Sequence, residues 1–226
     1  MFNRFFIVIL LGGVFFTPCL SQSKRTETER SMEKQGMVRI HALDPTIPVS
    51  LMYGRPDNFT GKVLYTDLRE AYLHPQAAQA LVKAQKELKR LRPDLSLKVY
   101  DAARPMSVQQ KMWDVVKNTD HDFYVSNPAR GGGLHNYGLA VDLTLCDARR
   151  DTLPMGTPID YLGKQAHIDT EEQMVKRGTL SKEAYQNRLL LRKVMRKGGF
   201  TPLRTEWWHF NLKSRAEAKA HYKAIK

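Results

Sequence analysis

Hydrophobic residues recur at every third or fourth position in three stretches of the chain, which is the spacing of one face of an α-helix. Pro93 ends the first stretch, because proline cannot continue a helix. Ser107 and Ser181 stand where they would cap the next two helices, and Gly198-Gly199 ends the last of them. Together with a closing helix at the end of the chain, the predicted helices cover residues 75–92, 107–118, 181–198 and 214–226.

Alternation of apolar and polar residues predicts strands elsewhere in the chain. Leu95, Leu97 and Val99 alternate with polar neighbours in LSLKVY, and the stretches LAVDLTL and TEWWHFNL are also typical of strands. Helices and strands are mixed without a regular βαβ repeat. The pattern therefore predicts an α+β fold, with a single domain and a mostly antiparallel central sheet flanked by helices.

An apolar stretch of twelve residues, 5–16, follows one arginine near the start of the chain. It is short for a transmembrane helix and typical of a secretory signal peptide, which we place at residues 1–21. A lipoprotein acylated at Cys19 is one alternative, against which the preceding Pro18 argues, and a retained membrane anchor is another. We expect an exported protein that is periplasmic or associated with the cell envelope.

Residues 22–36 are polar, charged and without aromatic side chains, which predicts a flexible tether. Residues 37–226 then form one domain, because a chain of 226 residues with 42% hydrophobic content supplies one ordinary core. After signal cleavage Cys146 is the single cysteine, so no disulfide within the chain is expected. Cys146 could be a metal ligand or a small buried residue at a strand end, and the second interpretation is favoured.

The formal net charge of +13 at pH 7 raises the question of a nucleic-acid partner. The lysines and arginines lie along predicted helices, as in KAQKELKRLR and RLLLRKVMRK, without the interleaved aromatic residues that a base-stacking surface needs. An exported protein also meets little nucleic acid. We predict solvated helix faces with a weak attraction to an anionic envelope, and no nucleic-acid partner.

An aspartate interrupts the apolar strand LAVDLTL. Asp142 shares a small, polar strand face with Ala140 and Thr144, which suits the floor of a pocket. A buried carboxylate needs a cation or hydrogen-bond donors to offset its desolvation. His135 lies just before the strand, and Gly138 allows a turn between them, so both side chains could bind one metal ion. A histidine hydrogen-bonded to an aspartate without metal is the alternative.

The segment TEWWHF places an acid and an imidazole three residues apart beside two tryptophans. His209 would complete a set of three ligands with His135 and Asp142, leaving the fourth position of a tetrahedral zinc open for water. Glu206 would then take the proton of that water and pass it to the leaving amine. In an extended strand Glu206 and His209 face opposite ways, so the segment must bend or Glu206 must reach in from its start. An aromatic core with a hydrogen-bonded histidine is the alternative.

Arg104, in YDAARP, follows directly on a predicted strand. A guanidinium at a strand end could hold the oxyanion of a tetrahedral intermediate. A surface arginine before a proline turn is the alternative interpretation.

Several of these motifs together resemble those of a known family. LHNYGLAVDLTL and EWWH resemble the S-x-H-x-x-G-x-A-x-D and E-x-W-H motifs of the zinc D-Ala-D-Ala peptidases of peptidase family M15. That family includes the vancomycin-resistance dipeptidases and carboxypeptidases and shares its fold with the hedgehog signalling domain. DNFTGK, DAARP, AVDLTL, PMGTPID and NRLLLRKVMRKGGFTPLRTEWWHF occur in the order typical of the D-alanyl-D-alanine dipeptidase branch, over residues 41–212.

The resemblance implies zinc-dependent hydrolysis of the dipeptide D-Ala-D-Ala to two D-Ala, with one zinc ion per chain. His135, Asp142 and His209 match the zinc ligands of the family. Glu206 matches its catalytic acid and base, and Arg104 matches the residue that stabilises the transition state.

The resemblance also concerns the substrate, a small dipeptide. Asp160, the acid of PMGTPID, matches the position that binds the free amino terminus, and Tyr53 matches a position that lines the same pocket. A carboxylate there would make the enzyme a dipeptidase that rejects N-blocked peptides. The sequence departs from the family at Gly133, where a serine belongs to the substrate-binding edge. The three predicted metal ligands are unchanged by this departure. The missing hydroxyl is expected to affect the affinity for the substrate and the preference for dipeptides.

Three other functions compete with this one. A D,D- or L,D-carboxypeptidase acting on peptidoglycan peptides would need an open cleft and no ammonium-binding carboxylate, so Asp160 argues against it. A zinc-stabilised binding module without activity is disfavoured, because Glu206 and Arg104 accompany all three ligands. A serine or cysteine hydrolase is disfavoured because no G-x-S-x-G motif occurs and Cys146 has no basic partner nearby in the sequence.

Overall fold

A computed structural model describes residues 25–226 of the chain. The predicted signal peptide at residues 1–21, with its alternatives, lies outside the described residues. Across residues 25–226, no helix combines the length and the apolar character that crossing a membrane requires.

Two antiparallel sheets organise the domain. The small sheet pairs β1 (Val38–Arg39) with β2 (Tyr72–Leu73), and the central sheet contains β3 (Ser96–Asp101), β4 (Ala140–Cys146), β5 (Thr201–Leu203) and β6 (Glu206–Asn211). The central strands follow the order β3-β4-β6-β5, and each neighbouring pair is antiparallel. Every residue of β4 is buried, so this strand runs through the middle of the core. The predicted strands and the α+β single-domain class are confirmed.

Helices surround the central sheet, and four of them correspond to the predicted ones. The helices within residues 25–226 are α1 (Glu27–Lys34), α2 (Ile40–Leu43), α3 (Pro75–Leu91), α4 (Met106–Val116), α5 (Glu171–Lys176), α6 (Lys182–Gly198) and α7 (Arg215–His221). Ser181 caps α6 as predicted, since its hydroxyl accepts a hydrogen bond from Ala184 N, and Gly199 ends the helix with φ +106°. Ser107 is not a cap, because α4 begins one residue earlier and places Ser107 in its first turn.

The two longest helices within residues 25–226, α3 and α6, pack closely against each other and against the sheet. Gly198 in the last turn of α6 permits this contact, because a Cβ at that position would lie 2.6 Å from Ala80 O of α3. The buried face of α3 is correspondingly rich in alanine. Small residues on both helices thus allow the two helices to pack closely against each other and to cover part of the core.

The segment of residues 27–34 differs from the prediction of a flexible tether, because it forms α1. Thr26 and Glu29 make a capping box at the start of this helix. Met32 is fully buried in the core. This buried side chain, with the hydrogen bonds from Thr28 N to Asp67 and from Arg69 N to Glu29, docks a segment of polar composition, and the folded domain begins before Met37.

A buried ion cluster holds the loop between β4 and α5 against α6. Glu171 accepts hydrogen bonds from Arg188 Nη1 at 3.3 Å and from Arg192 Nη1 at 2.9 Å. Arg188 also donates to Met155 O at 2.7 Å and to Gln165 O at 3.0 Å. These carbonyls lie on either side of the predicted ammonium-binding residue, so the cluster fixes the part of the loop that carries it.

Candidate active site

Three buried side chains converge where β4 and β6 meet. His135 Nε2 lies 3.1 Å from His209 Nδ1 and 3.2 Å from Asp142 Oδ2. His209 Nδ1 lies 2.9 Å from Asp142 Oδ1. The structure thus brings the three predicted ligands together, as a group that could hold a metal ion. Two imidazoles and one carboxylate form a donor set typical of zinc and similar divalent transition metals.

The sheet register and one glycine turn place these ligands. Asp142 on β4 stands directly opposite His209 on β6. His135 lies in a short 3₁₀ helix, Leu134–Tyr137, that leads into β4 and ends at Gly138 with φ +64°. A Cβ at Gly138 would lie 2.8 Å from His74 N, so both the backbone angle and the available space require glycine.

The outer nitrogen of each histidine is held by a hydrogen bond. His135 Nδ1 donates to Ala102 O at 2.7 Å, and His209 Nε2 donates to Asn211 Oδ1 at 2.8 Å. With these protons placed, the lone pairs of His135 Nε2 and His209 Nδ1 point into the cluster. Such outer hydrogen bonds fix the tautomer and orientation of metal-binding histidines.

The spacing and ionisation of the cluster fit a bound metal. Ligands about 2.0–2.1 Å from a tetrahedral zinc lie about 3.3 Å from one another. The observed separations of 2.9–3.2 Å come close to this value. Burial alone would raise the pKa of Asp142, but when the metal-facing nitrogens of His135 and His209 are protonated, their charges and hydrogen bonds outweigh burial and hold that pKa below its usual range. Asp142 is therefore ionised, as a ligand must be.

Glu206 reaches the ligand cluster from the first position of β6. Its Oε2 lies 3.8 Å from His209 Nδ1. The strand bend expected from the sequence is present. Pro202 of β5 pairs with Phe210 of β6, but the next residue of β5, Leu203, pairs with Glu206. The intervening residues of β6 bulge out of register. Burial raises the pKa of Glu206 to about 7, so this carboxyl can accept and release a proton near neutral pH.

Arg104 is buried beside the cluster and is not a surface residue. Its Nε donates to Asp101 Oδ2 and its Nη1 donates to Gln109 Oε1, each at 2.9 Å. Its Nη2 lies 3.8 Å from Asp142 Oδ2. Burial acts to lower the pKa of Arg104, but the charge of Asp101 helps to hold that pKa well above its usual value. Arg104 therefore supplies a permanent positive charge next to the predicted ligands.

Asp101 is a site residue that the sequence analysis missed. It is fully buried at the end of β3 and accepts a hydrogen bond from Tyr65 OH at 2.6 Å in addition to those from Arg104. A bulge between Val99 and Asp101 sets it opposite Asp142 on β4. The available signal was an acid at the end of an apolar strand, three residues before an arginine.

Asp160, which is half-buried, and the buried Tyr53 form a second pair near Arg104. Tyr53 OH donates to Asp160 Oδ1 at 2.8 Å, and Phe59 N donates to Asp160 Oδ2 at 3.4 Å. Asp160 has φ +68°, a strained conformation that the surrounding contacts must maintain. Burial raises the pKa of Asp160 to about 7. The Arg104 guanidinium lies over the Tyr53 ring, 5.1 Å from its centroid, and connects this pair to the cluster.

One cavity of about 630 Å³ contains all seven predicted site residues in its lining: Tyr53, Arg104, His135, Asp142, Asp160, Glu206 and His209. Tyr124 also lines it, and its hydroxyl lies 3.2 Å from His167 Nε2, which joins two loops beside the cavity.

Cys146 is buried opposite Ser96 at the end of β4, outside the ligand cluster. This position agrees with the favoured interpretation of Cys146 as a small buried residue.

Comparison with known proteins gives concordant matches. The model of the Peptidase M15 family, described as D-Ala-D-Ala dipeptidase, matches residues 33–226. A D-alanyl-D-alanine dipeptidase of Escherichia coli K12 is 33% identical over 176 residues, which cover 78% of this chain and 84% of that protein. A protein of the same name from Enterococcus faecium is 29% identical over 188 residues, which cover 75% of this chain and 88% of that protein. The matched region begins within α1 and includes every candidate site residue.

Proposed function

Because this chain belongs to the Peptidase M15 family of D-Ala-D-Ala dipeptidases, we propose that it hydrolyses D-alanyl-D-alanine to two D-alanine molecules with one bound zinc ion. The observation that carries this proposal is the presence of a His-Asp-His group and a separate half-buried carboxylate, Asp160, in one cavity. The first suits a hydrolytic metal, and the second suits the free ammonium group of a short peptide.

The zinc ion is assigned to His135, Asp142 and His209, whose donor atoms and separations fit it. When bound, zinc supplies a Lewis acid that polarises the scissile carbonyl and makes water easier to deprotonate. Hydrolysis adds one water across the peptide bond, giving the carboxylate of one D-alanine and the amine of the other.

Glu206 is the group that moves the proton. Its carboxylate stands beside the cluster at 3.8 Å from His209 Nδ1, and it has no place in the His-Asp-His group. It takes a proton from the attacking water and delivers it to the nitrogen of the leaving D-alanine. A pKa of about 7 lets the same side chain act as base and then as acid.

Arg104 stabilises the negative charge that develops on the carbonyl oxygen. Its hydrogen bonds to Asp101 and Gln109 hold the guanidinium in place before substrate arrives. A fixed cation in a buried site acts without reorganisation during the reaction, which is the main source of electrostatic catalysis.

Asp160 selects substrates with a free amino terminus. Its carboxylate is half-buried in the cavity wall, and among the described residues it is paired only with hydrogen-bond donors, Tyr53 OH and Phe59 N. An ammonium group would neutralise it, whereas an N-acylated peptide would leave a buried carboxylate without a counter-charge. This difference favours a dipeptidase over an enzyme that trims longer peptides.

A panel of substrates tests the proposed function. We expect the zinc-loaded protein to release D-Ala from D-Ala-D-Ala, and to leave N-acetyl-D-Ala-D-Ala, L-Ala-L-Ala and a muropeptide pentapeptide uncut. Release is measured by chromatography of the products. Cleavage of the blocked or longer peptides in preference to the free dipeptide would support the carboxypeptidase alternative instead.

Replacing Asp160 with asparagine tests the ammonium contact. We expect kcat/KM for free D-Ala-D-Ala to fall at least about 30-fold, because loss of one partner of a buried charge pair costs about 2 kcal/mol or more. The matched control is Asp151→Asn on the exposed part of the same loop, which should behave like the parent enzyme. Equal losses of affinity for free and N-acetylated dipeptide in the Asp160→Asn variant would remove this role.

Export of the protein remains a prediction from residues 1–21. We propose an envelope location, where the free dipeptide would come from wall precursors or from their breakdown. Detection of the mature protein in a periplasmic or envelope fraction tests this location.

A further inference from the structure

Gly133 leaves space for a neighbouring side chain. Its backbone angle φ of −108° is open to any residue, so glycine is not required by the conformation here. The space is the constraint, because a Cβ at position 133 would lie 2.9 Å from Ser126 Oγ and 3.2 Å from Ser126 Cβ. Ser126 therefore occupies the place that a side chain at position 133 would need.

Ser126 is fixed to the catalytic arginine through a buried amide. Gln109 Nε2 donates to Ser126 O at 2.8 Å, and Gln109 Oε1 accepts from Arg104 Nη1 at 2.9 Å. Gln109 is 1% exposed, so this connection is held inside the protein. The backbone of Ser126 thus has a defined position relative to Arg104.

The hydroxyl of Ser126 is available for a ligand. Ser126 lines the same cavity as the ligand cluster. Among residues 25–226 its Oγ makes no hydrogen bond, whereas the polar side chains around it are paired. Asn127, the next residue, caps the following 3₁₀ turn through its side chain and holds the loop. A free hydroxyl on a fixed loop is arranged in advance for binding.

We propose that Ser126 is a substrate-binding residue whose hydroxyl donates a hydrogen bond to the terminal carboxylate of the dipeptide, taking over the part that a hydroxyl at position 133 would play. The proposal rests on the proposed function. Contacts run from Asp160 through Tyr53 and Arg104 to Gln109 and then to Ser126. Because Asp160 accepts the ammonium at one end of this series, the donor at the other end suits the carboxylate.

The alternative is that Ser126 only fills the space beside Gly133. A packing role predicts a loss of stability when the side chain is cut back and no dependence on the substrate's carboxylate. A binding role predicts a change in KM that follows the hydroxyl and the carboxylate together. The two roles therefore differ in a measurable way.

The experiment compares Ser126→Ala, Ser126→Gly and the double variant Ser126→Gly with Gly133→Ser, all zinc-loaded. The double variant carries glycine at 126 because a Cβ at 133 would otherwise lie 3.2 Å from the Cβ of residue 126. KM and kcat are measured with D-Ala-D-Ala and with D-Ala-D-alaninamide, which lacks the carboxylate. Dissociation constants are measured by calorimetry in a Glu206→Gln background, in which the dipeptide is not consumed. The control is Ser107→Ala on the exposed surface of α4.

We expect Ser126→Ala and Ser126→Gly to raise KM for D-Ala-D-Ala about 10-fold or more, as for a lost hydrogen bond to a charged group. We expect kcat to change less than about twofold. For D-Ala-D-alaninamide the increase in KM should be small. The double variant should recover most of the affinity for D-Ala-D-Ala. The Ser107→Ala variant should match the parent.

Any one of three results would overturn the role of Ser126. These are an unchanged KM, an equal increase in KM for the dipeptide and the amide, and no recovery of affinity in the double variant. Failure of the parent to cleave D-Ala-D-Ala would overturn the proposed function. The calorimetric comparison would then still decide whether Ser126 binds the carboxylate, and no binding by the parent would refute both proposals.

Discussion

Replacing Glu206 with glutamine is expected to lower kcat for D-Ala-D-Ala by about 10²–10⁴-fold while zinc remains bound. The amide keeps the size of the side chain but cannot take a proton from water. Because Glu206 stands beside the His-Asp-His group and is not one of its members, the ligands stay in place. The effect should therefore fall on kcat, with little change in the dissociation constant of the dipeptide.

The measurement pairs steady-state kinetics with metal analysis of the dialysed protein. Glu172→Gln, at an exposed position in α5, is the matched control and should retain both zinc and activity. Loss of zinc from the Glu206→Gln variant would show that this carboxylate is a ligand, and unchanged turnover would show that another group moves the proton.

Replacing Asp142 with alanine is expected to remove most of the bound zinc and to destabilise the fold by about 3 kcal/mol or more. The carboxylate is 3% exposed and pairs with His135 and His209, with Arg104 at 3.8 Å. Its loss leaves the two buried histidines without the carboxylate between them, whereas Arg104 keeps Asp101 as its counter-charge. A ligand that is part of the folded core contributes to metal affinity and to stability at once.

Thermal unfolding with and without added zinc separates these two contributions. Zinc should raise the Tm of the parent, because it binds the folded state, and should scarcely change the Tm of the Asp142→Ala variant. Asp151→Ala, in an exposed loop, is the control and should respond to zinc like the parent. A variant that still takes up one zinc per chain would exclude Asp142 from the site.

Two of the three candidate metal ligands were predictable because each interrupts an apolar stretch. Asp142 stands where the strand pattern asks for an apolar residue, and His209 follows two tryptophans in a buried strand. Hydrophobic periodicity also located α3 and α6 within a residue or two, since both helices carry a continuous apolar face. Each of these features depends on residues that are close together in the sequence, so each can be predicted from the sequence alone.

Other features depend on contacts that no local pattern expresses. Asp101 matters because a bulge in β3 turns it towards Arg104, and bulges leave no periodic signal. Ser126 matters because a loop folds back onto Gly133. The helix α1 was missed because one buried methionine docks a segment whose composition is otherwise that of a tether.

The pairing of β4 with β6 joins distant parts of the chain. His209 lies 67 residues after Asp142, and the two stand opposite each other only when the whole intervening loop has closed. Contacts of such long range form late, because loop closure precedes the contacts that offset it. A metal ion bound by the three proposed ligands is therefore expected to bind a chain that is already nearly native, and to slow unfolding more than it speeds folding. With the proposed metal site, the lifetime of the folded molecule, and not its rate of formation, is expected to depend on the supply of metal.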